Sequence, residues 1–423
     1  MHGPDPIILS RSEHPISRSQ IGENTLKVMY RLHRQGFKAF LVGGGVRDLL
    51  LDRTPKDFDV GTNATPNQVK KLFRNCFLVG RRFRLAHVRF GGEVVEVATF
   101  RRQPEEGELP EDPNDHFLFA ENVFGTPQED AFRRDFTINA LFYDIASFSI
   151  IDYVGGLKDL EAHRIRTIGE PEVRFAEDPV RMLRALEFSA RLGFTLDPAA
   201  QEGILGCAPQ IATAAPARIR EELMELFRHK VAAPVLRAAA EYGMLAPLLA
   251  GFEGGEATYA LLSEVDQRTA SGVVPEEAFC LASLFLAPFL TGCREIKTIG
   301  EALHLANELL TPHCAYFHIA HGIRHLAREL LIACFRFRRG PGQRGQRRFV
   351  RHPMTPRGLE LYNLWCRVAE EVVPAETWQQ ILCEQEQSSA PADNPPPSSS
   401  GRRPRRRGGR RRGRRRSSPE SSS

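Results

Sequence analysis

Two aspartates separated by one residue are the strongest chemical signal in the chain. Asp57 and Asp59 flank Phe58, within a short run that has the composition of a strand. Alternate residues of a strand project from the same face, about 6–7 Å apart, so both carboxylates can point at one place. Like charges held this close repel, and a divalent cation such as Mg²⁺ relieves the repulsion. The pair therefore predicts a metal site, although two carboxylates at a solvated strand end have the same spacing.

A glycine run precedes the aspartate pair. Gly43, Gly44 and Gly45 follow a short apolar segment and are followed by Arg47. Glycines between a strand and a helix let backbone N–H groups approach a phosphate, and an arginine in the first helical turn adds positive charge. A tight strand-to-helix turn also needs glycine for steric reasons alone. Together with the aspartates, the turn indicates a nucleotidyl-transfer site.

Four motifs follow one another along the first half of the chain. They are Val42-Gly-Gly-Gly-Val-Arg-Asp-Leu-Leu-Leu51, Lys56-Asp-Phe-Asp59, Arg133-Arg-Asp-Phe-Thr-Ile-Asn-Ala140 and Glu177-Asp-Pro-Val-Arg181. In order and spacing they resemble the head and neck motifs of the class II tRNA nucleotidyltransferase and bacterial poly(A) polymerase family. The segment from Lys71 to Val88 resembles the poly(A) polymerase branch rather than the CCA-adding branch. The resemblance is strong from about Ser17 to Phe194 and thins beyond it.

The resemblance implies a fold and a reaction. The expected fold is an α/β nucleotidyltransferase head of the polymerase beta-like type, followed by an all-α neck and body. The expected reaction is template-independent transfer of AMP from ATP to the 3′ ends of RNA, with release of pyrophosphate, which promotes RNA processing or decay. The alternatives are a CCA-adding tRNA nucleotidyltransferase, an RNA-binding protein whose catalytic head has decayed, and a nucleotidyltransferase acting on a small molecule or a protein.

The resemblance also implies roles for individual residues. Asp57 and Asp59 would hold two Mg²⁺ ions, and Gly44 and Arg47 would contact the triphosphate. The expected nucleotide-binding residues are completed by Arg133, Arg134 and Asp135 for phosphate and the ribose 2′-hydroxyl, by Asp178 and Arg181 for the base edge, and by Arg184 nearby. Asp135 is also a candidate catalytic carboxylate.

Several of these residues have a structural alternative. Asp178 precedes Pro179, and an Asp followed by Pro is typical of a helix start. Arg133 to Asp135 could be a solvated helix entry with an internal ion pair. Glu96 lies in the second strand of a predicted hairpin and could be a third catalytic carboxylate, or could simply share a strand face with Val94 and Ala98.

Two basic stretches favour RNA as the partner. Arg336 to Arg351 contains seven arginines with interleaved phenylalanines, which suits single-stranded RNA but also a loop packed by its own rings. Residues 401–423 contain eleven Arg and one Glu, and therefore hold a net charge of +10 while the other 400 residues hold −5. The expected RNA-binding residues are Arg336, Arg338, Arg339, Arg347, Arg348, Arg405, Arg406 and Arg411. The tail could also engage protein partners.

The elements that must position these groups are readable from local patterns. An apolar helix is predicted over Leu26 to Arg34, a helix starting at Thr65-Pro66, and a hairpin whose strands are joined by Gly91-Gly92. Helical periodicity dominates from Asp178 onward. The predicted organisation is an N-terminal extension (1–23), a head (24–151), a hinge and neck for base recognition (152–230), a helical RNA-binding body (231–385) and a disordered Arg-rich tail (386–423).

Composition excludes several classes of protein. With 423 residues and 42% hydrophobic content, the chain can bury more than one core and is neither collagen-like nor wholly disordered. Its eight cysteines form no Cys-x-x-Cys pair, which favours reduced thiols in the cytoplasm. The longest apolar run, Ala278 to Leu290, is too short to span a bilayer, so no membrane span is expected.

Overall fold

The computed structural model describes residues 5–80, 84–104, 108, 123–371 and 373–389. The chain divides into two units, residues 1–378 and residues 379–423. In the second unit the described part is the end of one helix, and the predicted disordered tail lies outside the described residues from 390 onward. Among the helices that the structure describes, none combines the length and the apolar character needed to cross a membrane.

The first unit begins with a mixed sheet of eight strands in the described residues. In chain order they are β1 (Ile7–Leu9), β2 (Ala39–Val42), β3 (Asp59–Thr62), β4 (Cys76–Val79), β5 (Leu85–Phe90), β6 (Glu93–Thr99), β7 (Leu141–Asp144) and β8 (Ile150–Asp152). Across the sheet the order is β1-β8-β7-β2-β3-β6-β5-β4. Neighbouring strands are antiparallel except for β3 and β6, which run parallel. Phe40 of β2 and Phe142 of β7 form a buried core cluster together with Phe100.

The register at the centre of the sheet brings the two chemical motifs together. β2 pairs with β3 so that Val42 is opposite Asp59. The glycine turn starts directly after Val42, and therefore lies beside the aspartate pair at the same edge. This pairing explains why two motifs more than ten residues apart can form one site.

Helices cover the sheet and then form the rest of the first unit. In the head they are α1 (Glu23–Arg34), α2 (Gly44–Leu50), α3 (Pro66–Leu72), α4 (Pro127–Arg133) and α5 (Gly156–Glu161). Next come α6 (Pro171–Glu177), α7 (Val180–Leu192), α8 (Pro198–Cys207), α9 (Pro216–Arg228), α10 (Ala232–Glu241), α11 (Leu245–Leu248) and α12 (Glu256–Ala270). The last are α13 (Glu277–Gly292), α14 (Ile299–Tyr316), α15 (His321–Arg338), α16 (Gln346–Val350), α17 (Thr355–Val368) and α18 (Ala375–Ser389). Two short parallel strands, β9 (Arg164–Ile165) and β10 (Thr195–Leu196), pair the segment before α6 with the segment after α7.

Local sequence explains where several helices begin. The side chains of Thr65 and Thr126 accept from the backbone three residues on, and each is followed by proline at the first helical position. Asp152 acts similarly across a longer turn, since its carboxylate accepts four backbone N–H groups from Val154 to Leu157. This capping ties the end of β8 to the start of α5.

The fold class expected from the sequence is confirmed, with two differences at the ends. Residues 7–9, placed in an N-terminal extension by sequence, form β1 and pair with β8, so the sheet extends into that segment. α18 continues to Ser389, past the predicted start of the tail at residue 386. The other boundaries predicted inside the first unit stay predictions.

Candidate active site

A cleft of about 480 Å³ lies at the ends of two central strands of the sheet, where β2 ends and β3 begins. Its lining includes the glycine turn, Asp57, Asp59, Arg134 and Asp135 from the head. Helices α7 and α9, with the residue that follows α9, supply the opposite wall with ionisable side chains, namely Arg184, Glu187, Arg191, Glu221, Glu222, Glu225 and His229. The arrangement places paired carboxylates and several guanidinium groups around one space.

The aspartate pair stands at the mouth of this cleft. Asp57 and Asp59 are both exposed at its surface, yet protein surrounds Asp59 on most sides. This restricted hydration is the largest cause that raises the pKa of Asp59 to about 6, and the negative charges of Glu96 and Asp57 add to it, while Arg134 opposes them. Among the described residues, the cation that opposes these effects, Arg134, does not restore the usual pKa of Asp59.

Glu96 faces the same space from β6. A second cavity of about 610 Å³ is lined by Asp57, Asp59, Glu93 and Glu96, among others. The distance from Glu96 Oε1 to the imidazole Nε2 of His87 is 3.3 Å. The structure thus brings the third predicted carboxylate to the aspartate pair, while its catalytic role stays a prediction.

The oxygen donors fit Mg²⁺ better than a softer metal. Asp57 and Asp59 offer carboxylates, and no cysteine is among the described residues that line the two cavities. Mg²⁺ is usually bound by one or two carboxylates together with water and substrate phosphates. Within the described ranges, no group of three or more His, Cys, Asp or Glu side chains is arranged to hold a metal by itself. The raised pKa of Asp59 is the observation that fits an added cation, because a positive charge there would remove the repulsion.

The glycine turn allows the close approach of an arginine. Gly43 has φ of +72°, a conformation that favours glycine. A Cβ at this position would also lie 3.1 Å from Nη1 of Arg134. That guanidinium donates to the Asn139 carbonyl (3.1 Å) and to Asp130 Oδ2 (3.0–3.2 Å). Arg134 is therefore fixed directly above the turn, where a phosphate would meet both.

Arg47 is part of the cleft wall and is almost fully buried, with 2% exposure. Its Nη1 donates to Asn139 Oδ1 (2.6 Å), its Nε donates to Asp48 (2.8 Å), and the guanidinium lies over the Phe188 ring. Burial lowers the pKa of Arg47, and Asp48 acts in the opposite direction. The structure shows how Arg47 braces the turn next to Gly44; direct contact with a triphosphate stays a prediction.

Asp135 and Arg184 form a half-buried ion pair in the lining of the cleft. Arg184 donates through Nε (2.9 Å) and approaches through Nη2 (2.8 Å) the same oxygen, Oδ2. The other oxygen accepts from the Phe136 backbone (2.8 Å) and from Asn139 (3.2 Å). Burial alone would raise the pKa of Asp135, but the charge of Arg184, together with the hydrogen bonds from Arg184, Asn139 and the Phe136 backbone, lowers the pKa below its usual value. The carboxylate is ionised and its acceptor capacity is used inside the protein.

Two connecting residues were missed by the sequence reasoning. Asn139 links Arg47, Arg134 and Asp135 through the hydrogen bonds given above, and its place inside the third motif was the signal that could have identified it. Arg174 on α6 is buried and donates from Nη2 to the carbonyls of Arg133 (2.8 Å) and Arg134 (2.9 Å). No local pattern marks Arg174, because its partners lie about 40 residues earlier.

The predicted base-reading pair lies beside the cleft. Asp178 accepts two hydrogen bonds from Arg218 of α9 (2.8 and 2.9 Å), and Arg181 donates to Glu177 (3.0 Å) and to the Arg174 carbonyl (2.9 Å). Asp178, Arg181 and Arg133 are not among the described residues that line the 480 Å³ cleft. The alternative role of Asp178 as a helix cap is supported only by a long hydrogen bond, in which Asp178 Oδ1 accepts from the Val180 N–H at 3.3 Å. Base reading stays a prediction.

The basic segment Arg336 to Arg351 extends from the last turn of α15 through α16. The phenylalanines interleaved with it, Phe335, Phe337 and Phe349, are buried in the helical core, which agrees with the alternative of a segment packed by its own rings. RNA binding by its arginines stays a prediction. Arg338 donates to the Leu290 carbonyl (2.7 Å) and pairs with Glu371 (3.0 Å), which gives it a packing role. Arg339, Arg347 and Arg348 are exposed, and Arg336 is half-buried. Arg405, Arg406 and Arg411 lie outside the described residues.

Comparisons with known proteins agree with this site. Residues 39–166 match the family described as the poly A polymerase head domain, and residues 193–254 match a probable RNA- and SrmB-binding site of polymerase A. The Poly(A) polymerase I of Escherichia coli O6:H1 is 42% identical over 386 residues, which cover 86% of this chain and 83% of that protein.

The CCA-adding enzymes are related over a different extent. The enzyme of Lactobacillus helveticus is 41% identical over 201 residues, 48% of this chain and 49% of its own. A crystal structure of the Bacillus stearothermophilus CCA-adding enzyme in complex with CTP is 27% identical, with a TM-score of 0.62, and covers 86% of this chain and 81% of that one. The architecture is thus shared between both groups, whereas high sequence identity to the E. coli protein continues through the helical body.

Proposed function

This chain belongs to the bacterial poly(A) polymerase family, and from that membership we propose that it transfers AMP from ATP to RNA 3′ ends without a template and releases pyrophosphate. The observation that carries the proposal is the extent of the similarity to poly(A) polymerase I, 83% of the relative's length at 42% identity. The chain is a nucleotidyltransferase, and RNA and a nucleotide are its substrates. AMP as the added unit and a cytoplasmic location are our proposals. All eight cysteines are free thiols, which supports a reducing compartment.

Asp57 and Asp59 are the residues that we propose to hold Mg²⁺. When bound, the two ions would supply Lewis-acid chemistry, favouring the ionised 3′-hydroxyl and neutralising the leaving pyrophosphate. Arg134 and the backbone of the glycine turn would hold the triphosphate, since both face the same cleft. Asp135, through Arg184, would keep the opposite wall in place while the nucleotide is bound.

The first experiment tests these carboxylates. The protein is incubated with an RNA of generic sequence, Mg²⁺ and each NTP in turn, and the products are sized. We expect long A tails with ATP from the wild type, and loss of transfer by at least a thousandfold in Asp57→Asn and Asp59→Asn, because each loses a metal ligand. Asp52→Asn is the matched control, an exposed aspartate of the head whose positive φ asparagine tolerates. Activity within tenfold of wild type in either variant would refute the assignment.

Nucleotide choice is tested on the pair beside the cleft. We propose that Asp178 and Arg181 read the adenine edge, supported by the bidentate pair of hydrogen bonds through which Arg218 orients the Asp178 carboxylate. A site built for such hydrogen bonds rejects a base that leaves them unpaired. Arg181→Ala should therefore lower the preference for ATP over CTP more than it lowers the rate with ATP. An unchanged preference would return both residues to structural roles, and products limited to a few nucleotides ending in CCA on tRNA would establish the CCA-adding alternative.

A further inference from the structure

A separate cleft lies in the helical part of the first unit, around the loop of residues 340–345. Its volume is about 470 Å³, within the size range of sites for small ligands. The residues that matter are Ile299 at the start of α14, Arg336, Arg339 and Arg344 on the rim, and Phe349 and Trp378 beneath. We refer to it as the arginine cleft.

The floor of the arginine cleft is apolar and rigid. Trp378 is 2% exposed, and its Nε1 donates to the Phe337 carbonyl (2.9 Å). The Phe349 ring stands nearly perpendicular to the Trp378 ring, with centroids 5.9 Å apart. The floor therefore has no unsatisfied indole N–H, and its two buried rings support the arginine that lies over Phe349.

Arg336 turns this floor into a cationic platform. Its guanidinium carbon lies 4.1 Å from the centroid of the Phe349 ring, and its Nη2 donates to the Gly345 carbonyl (3.1 Å). The group is held on one side by an aromatic face and at its edge by the backbone. A guanidinium fixed in this way is a stacking surface for a nucleobase.

The rim carries positive charge that the described protein does not neutralise. Arg344 is exposed and has no carboxylate partner in the parts of the chain that the structure describes. Arg339 is exposed and is held by donation to the Lys297 carbonyl (2.6 Å). The nearby carboxylate of Glu301 accepts from the backbone of Lys297 and Thr298 and so caps α14. A phosphate is the group that such a rim would attract.

The loop keeps this shape through glycine. Gly340, Gly342 and Gly345 have φ values of +80°, +85° and +81°. Other residues adopt these angles only with strain, so the loop is built to present Arg344 between them. The Gly342 N–H donates to Gln346 Oε1 (2.5 Å), which fastens the loop to the first residue of α16.

We propose that the arginine cleft binds one nucleotide of single-stranded RNA, with the base on the Arg336 platform and the phosphate at Arg344. The choice of RNA rather than a free mononucleotide as the ligand rests on the proposed function, since both offer the same base and phosphate. RNA is favoured because Arg347 and Arg348, exposed on the adjacent α16, offer further cations for the phosphates that continue a strand. The cleft would hold the RNA away from the catalytic carboxylates and retain it between additions.

The first test separates a built site from general charge. Binding of a fluorescent 15-nucleotide oligo(A) to the full chain is measured by anisotropy, without ATP or Mg²⁺, so that catalysis plays no part. Arg344→Ala should bind at least fivefold more weakly than the wild type. Arg294→Ala removes the same charge from another exposed site of the helical part and should stay within twofold. Equal losses in both variants would overturn the proposal.

The second test separates the cavity from its charges. Ile299 is 37% exposed at the mouth of the arginine cleft, so Ile299→Trp fills the space and keeps every arginine. We expect it to weaken oligo(A) binding at least fivefold, whereas Ile299→Ala stays within twofold. Wild-type affinity in Ile299→Trp would show that no base enters, and would overturn the proposal.

A third measurement distinguishes the two sources of the ligand. Free AMP should displace the labelled oligo(A) only at a concentration at least a hundredfold above the concentration of unlabelled RNA that gives the same displacement. One nucleotide lacks the flanking phosphate contacts. Displacement at equal concentrations would assign the cleft to a mononucleotide instead. Single-turnover AMP transfer at saturating RNA is measured for the wild type and should be unchanged in the control Arg294→Ala. Absence of transfer in the wild type would refute the proposed function, while the binding results would still decide on the cleft.

Discussion

Asp59 shows how a single position reflects its surroundings. Its raised pKa, about 6, comes first from restricted hydration and then from the charge of Glu96. Below that pH the carboxyl group is mostly protonated and cannot serve as a metal ligand. We therefore expect the rate at subsaturating Mg²⁺ to fall as the pH drops through about 6.

Replacing Glu96 tests this coupling. Glu96→Gln removes a neighbouring negative charge, which lowers the pKa of Asp59 and should move the acid side of the pH–rate profile to lower pH. Glu93→Gln is the matched control, because Glu93 lies on the same strand and lines the same cavity. The measurement is AMP transfer at subsaturating Mg²⁺ between pH 5 and 8. A profile that does not move in Glu96→Gln would disprove the coupling.

At the residue level, sequence reasoning reached the types and order of the site but not its internal bonds. Asp57, Asp59, Arg134 and Asp135 were predicted and do line one cleft. What spacing could not show is that Arg47 and Asp135 use their hydrogen bonds inside the protein, since Asn139 and Arg184 reach them only through tertiary packing. Buried polar groups demand such partners, and the partners come from distant parts of the chain.

At the level of elements, one helix caps another in the body. Asp266, on α12, is 7% exposed, and its carboxylate accepts from the Ala232 and Ala233 backbone N–H groups (3.1 and 2.9 Å). These bonds satisfy the start of α10, whose preceding residue, Val231, has no side chain able to do so. Burial nevertheless raises the pKa of Asp266 to about 6, against the effect of the two hydrogen bonds.

The raised pKa makes a signed prediction about stability. The folded state binds a proton at Asp266 more tightly than the unfolded chain, so this contribution is full below about pH 4 and is lost as the pH rises through about 6. Relative to Asp266→Asn, the free energy of unfolding of the wild type should fall by roughly 2–3 kcal/mol over that range. Urea unfolding at pH 4, 5, 6 and 7 measures it, with Asp52→Asn as the exposed control. A difference between wild type and Asp266→Asn that stays constant with pH would contradict the assignment.

Elements with a local signature were predicted and those without one were missed. The hairpin of β5 and β6 turns at Gly91-Gly92, and α3 starts at Thr65, as their turn and capping residues indicate. β1 was missed because three apolar residues near a terminus carry no period, and its pairing with β8 is set by a partner far along the chain. A local pattern carries no information about which distant segment of the same chain a strand will pair with.

At the level of the whole molecule, charge is concentrated at one end of the sequence. Residues 401–423 hold eleven arginines and one glutamate. Their contacts with RNA should be non-specific, and counterion release makes such contacts strong at low salt and weak at high salt. The same residues could also recruit protein partners of acidic character.

Deleting residues 401–423 should weaken RNA binding and flatten its salt dependence, by a log–log slope of about 0.7 for each phosphate no longer neutralised. The chemical step at saturating RNA should stay nearly unchanged, because the cleft residues all lie before residue 230. A full-length chain in which the eleven arginines of residues 401–423 are replaced by glutamine is the control for tail length. RNA affinity across a salt series and single-turnover AMP transfer are the two measurements. An unchanged slope, or a collapse of the single-turnover rate, would be contrary to this prediction.

The pairing of β1 with β8 has a consequence for the time course of synthesis. Ile8 is opposite Ile151, so the first strand has no partner until the ribosome has added more than a hundred further residues. At about 5–20 residues per second, that interval lasts on the order of 10 s. Throughout that interval Ile7 and Ile8 are apolar and lack their strand partner. This edge of the sheet can therefore close only after β8 has been made, although β1 is made long before it.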